Sequence, residues 1–212
     1  MRHHIVSIRP RLARSKVMVT AALLLATVTI GATACSGQPG ATVAPPVSSS
    51  TSVKPPSPAA TLSRSKPVRL QITTIGVDTT LMDLGLGSDG TLNVPPGGFP
   101  AGWYTGGPTP GEIGPAVIAG HIDMKGPGVF FKLHSVKQGD QIAVTRADGS
   151  KPVFRVTLVK QYLKDSFPTR LVYGNLDHSG LRLITCGGTF NAQTGHYEEN
   201  LVVFADLIGT AM

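Results

Sequence analysis

The chain has 212 residues, 41% of them hydrophobic, which suits one full-sized domain plus appendages. Its formal charge of +7 suggests a nucleic-acid or membrane-surface binder until the charges are placed: eight of the 19 Lys and Arg precede Pro67, whereas none of the 12 Asp and Glu do. The 11 basic and 12 acidic residues that remain give the body a formal charge of −1, and nucleic-acid binding loses its main support.

A basic stretch through Lys16 leads into an uncharged, mostly apolar run over 17–34, the layout of an export signal. As a helix this run reaches about 27 Å, marginal for a hydrocarbon core of about 30 Å. It ends in Gly31-Ala32-Thr33-Ala34-Cys35-Ser36-Gly37, small residues leading into a cysteine as at a bacterial lipoprotein processing site, with Ala32 where Leu is usual. Residues 1–35 are thus expected to be a signal with lipidation at Cys35, or else an uncleaved membrane anchor. Either places the remainder outside the cytoplasm.

Residues 36–66 are Pro, Ser, Thr, Ala and Gly with almost no large apolar side chain, and such a stretch cannot bury enough surface to offset its ordering entropy. It is expected to be a disordered spacer, extended by its prolines, between a membrane and a cell wall. From Pro67 the pattern changes to short segments rich in Val, Ile, Leu, Thr and Phe. Strands are predicted at 68–72, 116–119, 141–145, 153–160, 181–185 and 201–205, bounded by turn pairs such as Asp89-Gly90 and Asp148-Gly149. The one helical piece is a short stretch near 129–136. Many short strands with few helices predict an all-β domain over 67–212, barrel or sandwich, since both protect strand edges.

Two cysteines are present, and lipidation would consume the thiol of Cys35. Cys186 is then a lone thiol in an exported protein, where an unpaired cysteine is either reactive or buried and inert. Cysteine chemistry needs a thiolate near a proton-handling group and a donor for the oxyanion. In Leu181-Arg182-Leu183-Ile184-Thr185-Cys186-Gly187-Gly188 an apolar strand ends at the cysteine, and two glycines permit a sharp turn beside it. In Ala116-Val117-Ile118-Ala119-Gly120-His121 a second apolar strand ends at a histidine, poised to project over a rim. His134 reads as packing or surface, His178 as an exposed turn, and His196 is the rival to His121.

Taken in order, Gly120-His121-Ile122-Asp123, Gly126-Pro127-Gly128-Val129-Phe130, Gly139-Asp140, Thr185-Cys186-Gly187-Gly188, Tyr197 and Asn200-Leu201-Val202-Val203-Phe204-Ala205 resemble the sortases, and among them the actinobacterial class F group. The resemblance implies an eight-stranded barrel with one or two short helices, Cys186 closing the seventh strand and His121 across a groove. It further implies that Cys186 attacks a backbone carbonyl in the sorting-signal peptide of a surface protein, giving a thioester, while His121 protonates the leaving amine. An amine acceptor of the cell wall then resolves the thioester, or water hydrolyses it. No cofactor or metal is implied.

The sequence departs from that pattern in one respect: sortases carry an arginine, usually on the strand after the cysteine, and no Arg or Lys follows Cys186 here. Arg182 shares the facing of Cys186 but lies about 13 Å along the strand. Arg170 sits on a predicted loop, and neither is assigned. The expectation is a weak transpeptidase, or one using backbone donors near Gly187. An L,D-transpeptidase is disfavoured because its His-Gly and Ser-x-Gly-Cys signature is absent. A degenerate sortase-fold lipoprotein that binds peptides or wall polymers remains the reading from another class.

Overall fold

The computed structural model describes residues 60–211. The expected signal, Cys35 and most of the spacer lie outside them. Among the described residues no helix is long and apolar enough to cross a membrane.

Eight strands form the domain: β1 (Pro67–Ile72), β2 (Val77–Leu84), β3 (Ala101–Tyr104), β4 (Gly114–Ala119), β5 (Gln141–Arg146), β6 (Lys151–Leu163), β7 (Ser179–Asn191) and β8 (His196–Ala211). They close into a barrel in the order β1-β2-β3-β4-β7-β8-β6-β5, with β5 returning to β1. Closure removes the unpaired edges that a protein of short strands would otherwise expose. The sequence left barrel and sandwich open on pattern alone, and the barrel is what forms.

Alternation along the strands sorts the apolar side chains into two layers. Ala116 and Ile118 of β4, Leu181 and Leu183 of β7, and Leu201, Val203 and Ala205 of β8 join the barrel core with Leu70, Ile142 and Phe154. Val117 and Ala119, Ile184 and Cys186, and Val202 and Phe204 face the other way, into a second buried cluster. β4 and β7 pair in parallel, from Gly114 opposite Ser179 to Ala119 opposite Ile184. Buried on both faces, they read as continuous apolar runs rather than alternating ones.

The outer cluster is roofed by two connections. Leu92 and Val94 come from the link between β2 and β3, and Phe167, Val172 and Tyr173 from the link between β6 and β7. The second link holds a 3-10 turn (Lys164–Ser166) and the helix α1 (Thr169–Tyr173).

Two expectations need correction. The stretch 129–136 is not a helix but a chain of turns with a 3-10 turn at Leu133–Ser135. Val129, Phe130, Leu133 and Val136 are buried and Phe131 is exposed, while the N–H of Val129 is bound to the carbonyl of Gly98 and that of Phe130 to His121, partners far from any helical i−4 position. Nor does β7 end at Cys186. It runs on to Asn191 through a register shift between Gly187 and Phe190, a bulge at Gly188, where φ is +72°.

The last part of the expected spacer packs on the barrel. Leu62 N–H donates to the Gly111 carbonyl, Ser65 N–H to the Thr109 hydroxyl, and the buried Arg146 guanidinium to the carbonyls of Ser63 and Pro110. A side chain and turn that would otherwise bury unpaired groups thereby fix where the chain enters the domain.

Candidate active site

Cys186 lies on the outer face of β7, 8% exposed and unpaired with any other cysteine among the described residues. Directly across the antiparallel β7/β8 pair stands the fully buried Asn200, and across β8/β6 from Asn200 stands Tyr162. Residues directly opposite in antiparallel strands share a face, so Tyr162, Asn200 and Cys186 form a row across three strands.

His121 follows the C-terminal end of β4 and is 4% exposed. The parallel β4/β7 ladder continues past β4, since the Gly120 N–H donates to the Ile184 carbonyl at 3.1 Å. The strand end that carries His121 therefore runs alongside the stretch of β7 that carries Cys186. Gly120 is required by close packing: a Cβ there would lie 2.6 Å from Val129 Cγ1 and 2.8 Å from Phe130 Cδ2. Gly128 in turn packs against the His121 carbonyl. The His121 Nε2 is 2.8 Å from the Pro95 carbonyl, which ties the imidazole to the link between β2 and β3.

A residue that sequence reading missed reaches the thiol. The Lys164 Nζ, at the turn following β6, is 3.7 Å from the Cys186 Sγ, within range of a hydrogen bond to sulfur. Nothing local in the sequence marks it, because its approach depends on the β6-β8-β7 registers. On the other side, Asp123 accepts a short hydrogen bond from the Tyr197 hydroxyl, tying the loop after His121 to β8.

The electrostatics combine opposing effects. Burial pushes the Cys186 thiol up, the ammonium of Lys164 pulls it down, and Asp123 adds a smaller upward push. Hydrogen bonding to the Asp123 carboxylate, with burial, raises the Tyr197 phenol to about 12.

The remaining sequence candidates are placed elsewhere, with one exception. His134 is exposed but lines a pocket of about 170 Å³ shared with Phe130, Gln161, Cys186 and Gly188. His196 opens β8 opposite Asn191, five residues beyond Cys186 on β7, or about 16 Å at strand spacing. His178 lies just before the opposite end of β7 and bonds to Asp177 and Asp206. Arg182 is buried, donates to the carbonyls of Leu181 and Ala205, and lies over the Phe204 ring at 4.7 Å. Arg170 is an exposed residue of α1. A larger pocket, about 600 Å³, is lined by the end of β2, by the link between β2 and β3 and by Met124, and contains neither Cys186 nor His121. The smaller one holds the thiol. Among the described residues no three His, Cys, Asp or Glu side chains are grouped to hold a metal ion.

A closed eight-stranded barrel with a free thiol on one strand, a histidine at the end of its parallel neighbour and a cation against the sulfur has the parts of a cysteine-dependent acyl-transfer site. Residues 70–208 match the sortase domain. The chain belongs to the sortase family of transpeptidases.

Solved structures share the fold. Sortase A from Corynebacterium diphtheriae, a lid mutant, is 22% identical over 69% of this chain and 72% of its own, with a TM-score of 0.53. Sortase C2 of the Group B Streptococcus pilus island 1 is 18% identical over 70% and 77%, with a TM-score of 0.52. Streptococcus pneumoniae sortase C is 19% identical over 69% of each chain, with a TM-score of 0.52. No curated protein matches the sequence closely enough to add to these.

Proposed function

We propose that the protein is a cell-surface cysteine transpeptidase that cleaves a sorting-signal peptide through a Cys186 thioester and passes the acyl group to an amine. The observation that carries this reading is the parallel β4/β7 ladder, which runs the His121 strand end beside the Cys186 segment. In the proposed reaction His121 takes part as acid and base. The Cys186 thiolate attacks the scissile carbonyl carbon, and the tetrahedral oxyanion collapses as the leaving amine takes a proton from the His121 imidazolium. An incoming amine gives its proton back to the imidazole, attacks the thioester and releases the thiolate. Water in place of the amine gives hydrolysis.

The class F grouping rests on Thr185-Cys186-Gly187-Gly188 and the ordered residues around it. The extracytoplasmic setting rests on the sequence of residues 1–35, with lipidation of Cys35 as the proposed anchor. Intact mass of membrane-extracted protein tests that point: a mature chain that keeps residues 1–34 would exclude lipoprotein processing.

The enzymatic reading is tested by incubating the full chain with a library of sorting peptides and searching for a covalent acyl adduct by mass spectrometry, with Cys186→Ala as control. An adduct on the Cys186 peptide, released by an added amine as a new amide, is the expected result. No adduct with any peptide defeats the reading and leaves a binding module in its place.

A further inference from the structure

We propose that Lys164 is a catalytic residue of this site: its ammonium pairs with the Cys186 thiolate and stays with the negative charge as it passes to the carbonyl oxygen. This rests on the transpeptidase reading above and deepens it.

The geometry comes from non-local pairing. β6 pairs with β8 up to Leu163 opposite Glu199, and β8 pairs with β7 so that Asn200 faces Cys186. The first residue past the end of β6 is thus two strands away from the thiol, near its level along the barrel. Lys164 is that residue, and a turn begins there. The residues on either side of it are packed: Tyr162 and Phe167 meet edge to face at 6.1 Å, and Tyr162 meets Phe204 at 6.4 Å. Half-buried, the Lys164 side chain lays its Nζ 3.7 Å from the sulfur.

Other cations that could serve the thiol are engaged elsewhere. Arg182 is bound to two carbonyls and stacked on Phe204, Arg170 is exposed on α1, Lys160 lies over the Tyr162 ring at 5.3 Å, and no Lys or Arg follows Cys186. The charged and titratable groups around the thiol from the surrounding elements are Lys164, Asp123 with Tyr197 bonded to it, His134 in the shared pocket, and His121 at the strand end alongside. Of these, Asp123 opposes a thiolate and Lys164 favours it.

The chemistry suits a lysine. Burial keeps the resting sulfur protonated, and once the thiol has given its proton to His121 the charge is on sulfur beside the ammonium. During attack the S–C bond forms, the carbonyl π bond opens, and the charge moves to oxygen. A four-carbon stem with three rotatable donors can follow that shift without repositioning the backbone. When the tetrahedral species collapses, the C–N bond breaks, the amine leaves with a proton from His121, and the ammonium keeps its own proton. Lys164 therefore changes no net proton count, and its role is electrostatic.

The test uses the full chain as wild type, Lys164→Met and Lys164→Arg. The rate of iodoacetamide modification of the Cys186 peptide is read by mass spectrometry from pH 6 to pH 11, and the rate of thioester formation is read with a sorting peptide. Lys164→Met is expected to raise the pH midpoint of alkylation by about one unit, the low end of what a neighbouring charge does. It should slow thioester formation about 10²-fold, the range for losing one oxyanion donor. Lys164→Arg restores a cation and should recover most of both. An unchanged midpoint and an unchanged acylation rate in a folded Lys164→Met protein would overturn the proposal. So would equal losses in the Met and Arg variants, which would mean that lysine packing rather than charge matters. If the midpoint moves but wild type forms no thioester with any peptide, the ion pair stands and the catalytic assignment falls together with the transpeptidase reading.

Discussion

Substitution of Gly188 by alanine probes the bulge two residues past the nucleophile. Gly188 has φ of +72°, in the left-handed region, where an L side chain costs about 1–2 kcal/mol. Its Cβ would also lie 2.7, 2.8 and 2.9 Å from the Glu199 Cγ, Cδ and Cβ. The first two of these atoms can swing away and the third cannot, because the β8 backbone fixes it, so overpacking adds about 1 kcal/mol, the low end of its usual range. The expected loss is about 2–3 kcal/mol. Gly149, with φ of +82° and nothing within 4 Å of its added Cβ, supplies the control: alanine there meets only the backbone cost, about 1–2 kcal/mol. Equilibrium urea denaturation of both variants, and of Gly188→Ala combined with Glu199→Ala, separates the contributions. The double variant should lose less than the sum of its single variants by several tenths of a kcal/mol. A Gly188→Ala protein no less stable than Gly149→Ala would refute the steric argument, and a neutral Gly188→Ala would refute the backbone argument as well.

Three further outcomes follow from the site and its surroundings. Because burial outweighs Lys164 and holds the Cys186 thiol above its ordinary value, its alkylation should accelerate only as pH rises beyond the free-cysteine range of about 8.5, and a midpoint below that of a cysteine peptide would contradict the burial argument. His121→Ala should reduce single-turnover thioester formation by about 10²–10⁴-fold while leaving the chain folded by circular dichroism, and an unaltered rate would remove His121 from the reaction. His178 gains partners in Asp177, at 2.8 Å, and Asp206, at 3.3 Å, which raise its imidazole above the ordinary value. The imidazolium thus contributes stability fully below about pH 6.5, and the contribution is lost as pH rises through the elevated folded value. Exposure limits it to about 0.2–1 kcal/mol, so the stability gap between wild type and His178→Gln should shrink from pH 5.5 to pH 8.5, and a constant gap would contradict the pairing.

The all-β class was legible because β1, β4, β5, β6, β7 and β8 each contain an apolar segment long enough to stand out. β2 and β3 were not. In Val77–Leu84 the sequence VDTTLMDL mixes polar residues into both faces, and Ala101–Tyr104 is only four residues long with a glycine inside. Gly187-Gly188 was read as the end of a strand because glycine pairs are usual turn signals, whereas here one left-handed residue makes a bulge and pairing resumes at Phe190. In 129–136 the apolar spacing suggested a helix that does not form, since the donors of Val129 and Phe130 are taken by Gly98 and His121. His121 was legible as following the end of an apolar strand and Cys186 as lying on one, although that strand runs on to Asn191. Lys164 was not, because 22 positions and an intervening strand separate it from the sulfur that it approaches.

The bond between His121 and Pro95 bears on the direction of proton transfer. A carbonyl oxygen can only accept, so the 2.8 Å contact places a proton on Nε2. In the neutral imidazole the basic nitrogen is then Nδ1, and it is through Nδ1 that His121 would exchange protons in the role proposed for it. Pro95 belongs to the link between β2 and β3, just as Lys164 belongs to the link between β6 and β7. The barrel therefore supplies the parallel pair on which Cys186 and His121 are mounted, and the links set the tautomer of one and the charge partner of the other. In the reaction proposed here the connections thus contribute to the site alongside the strands.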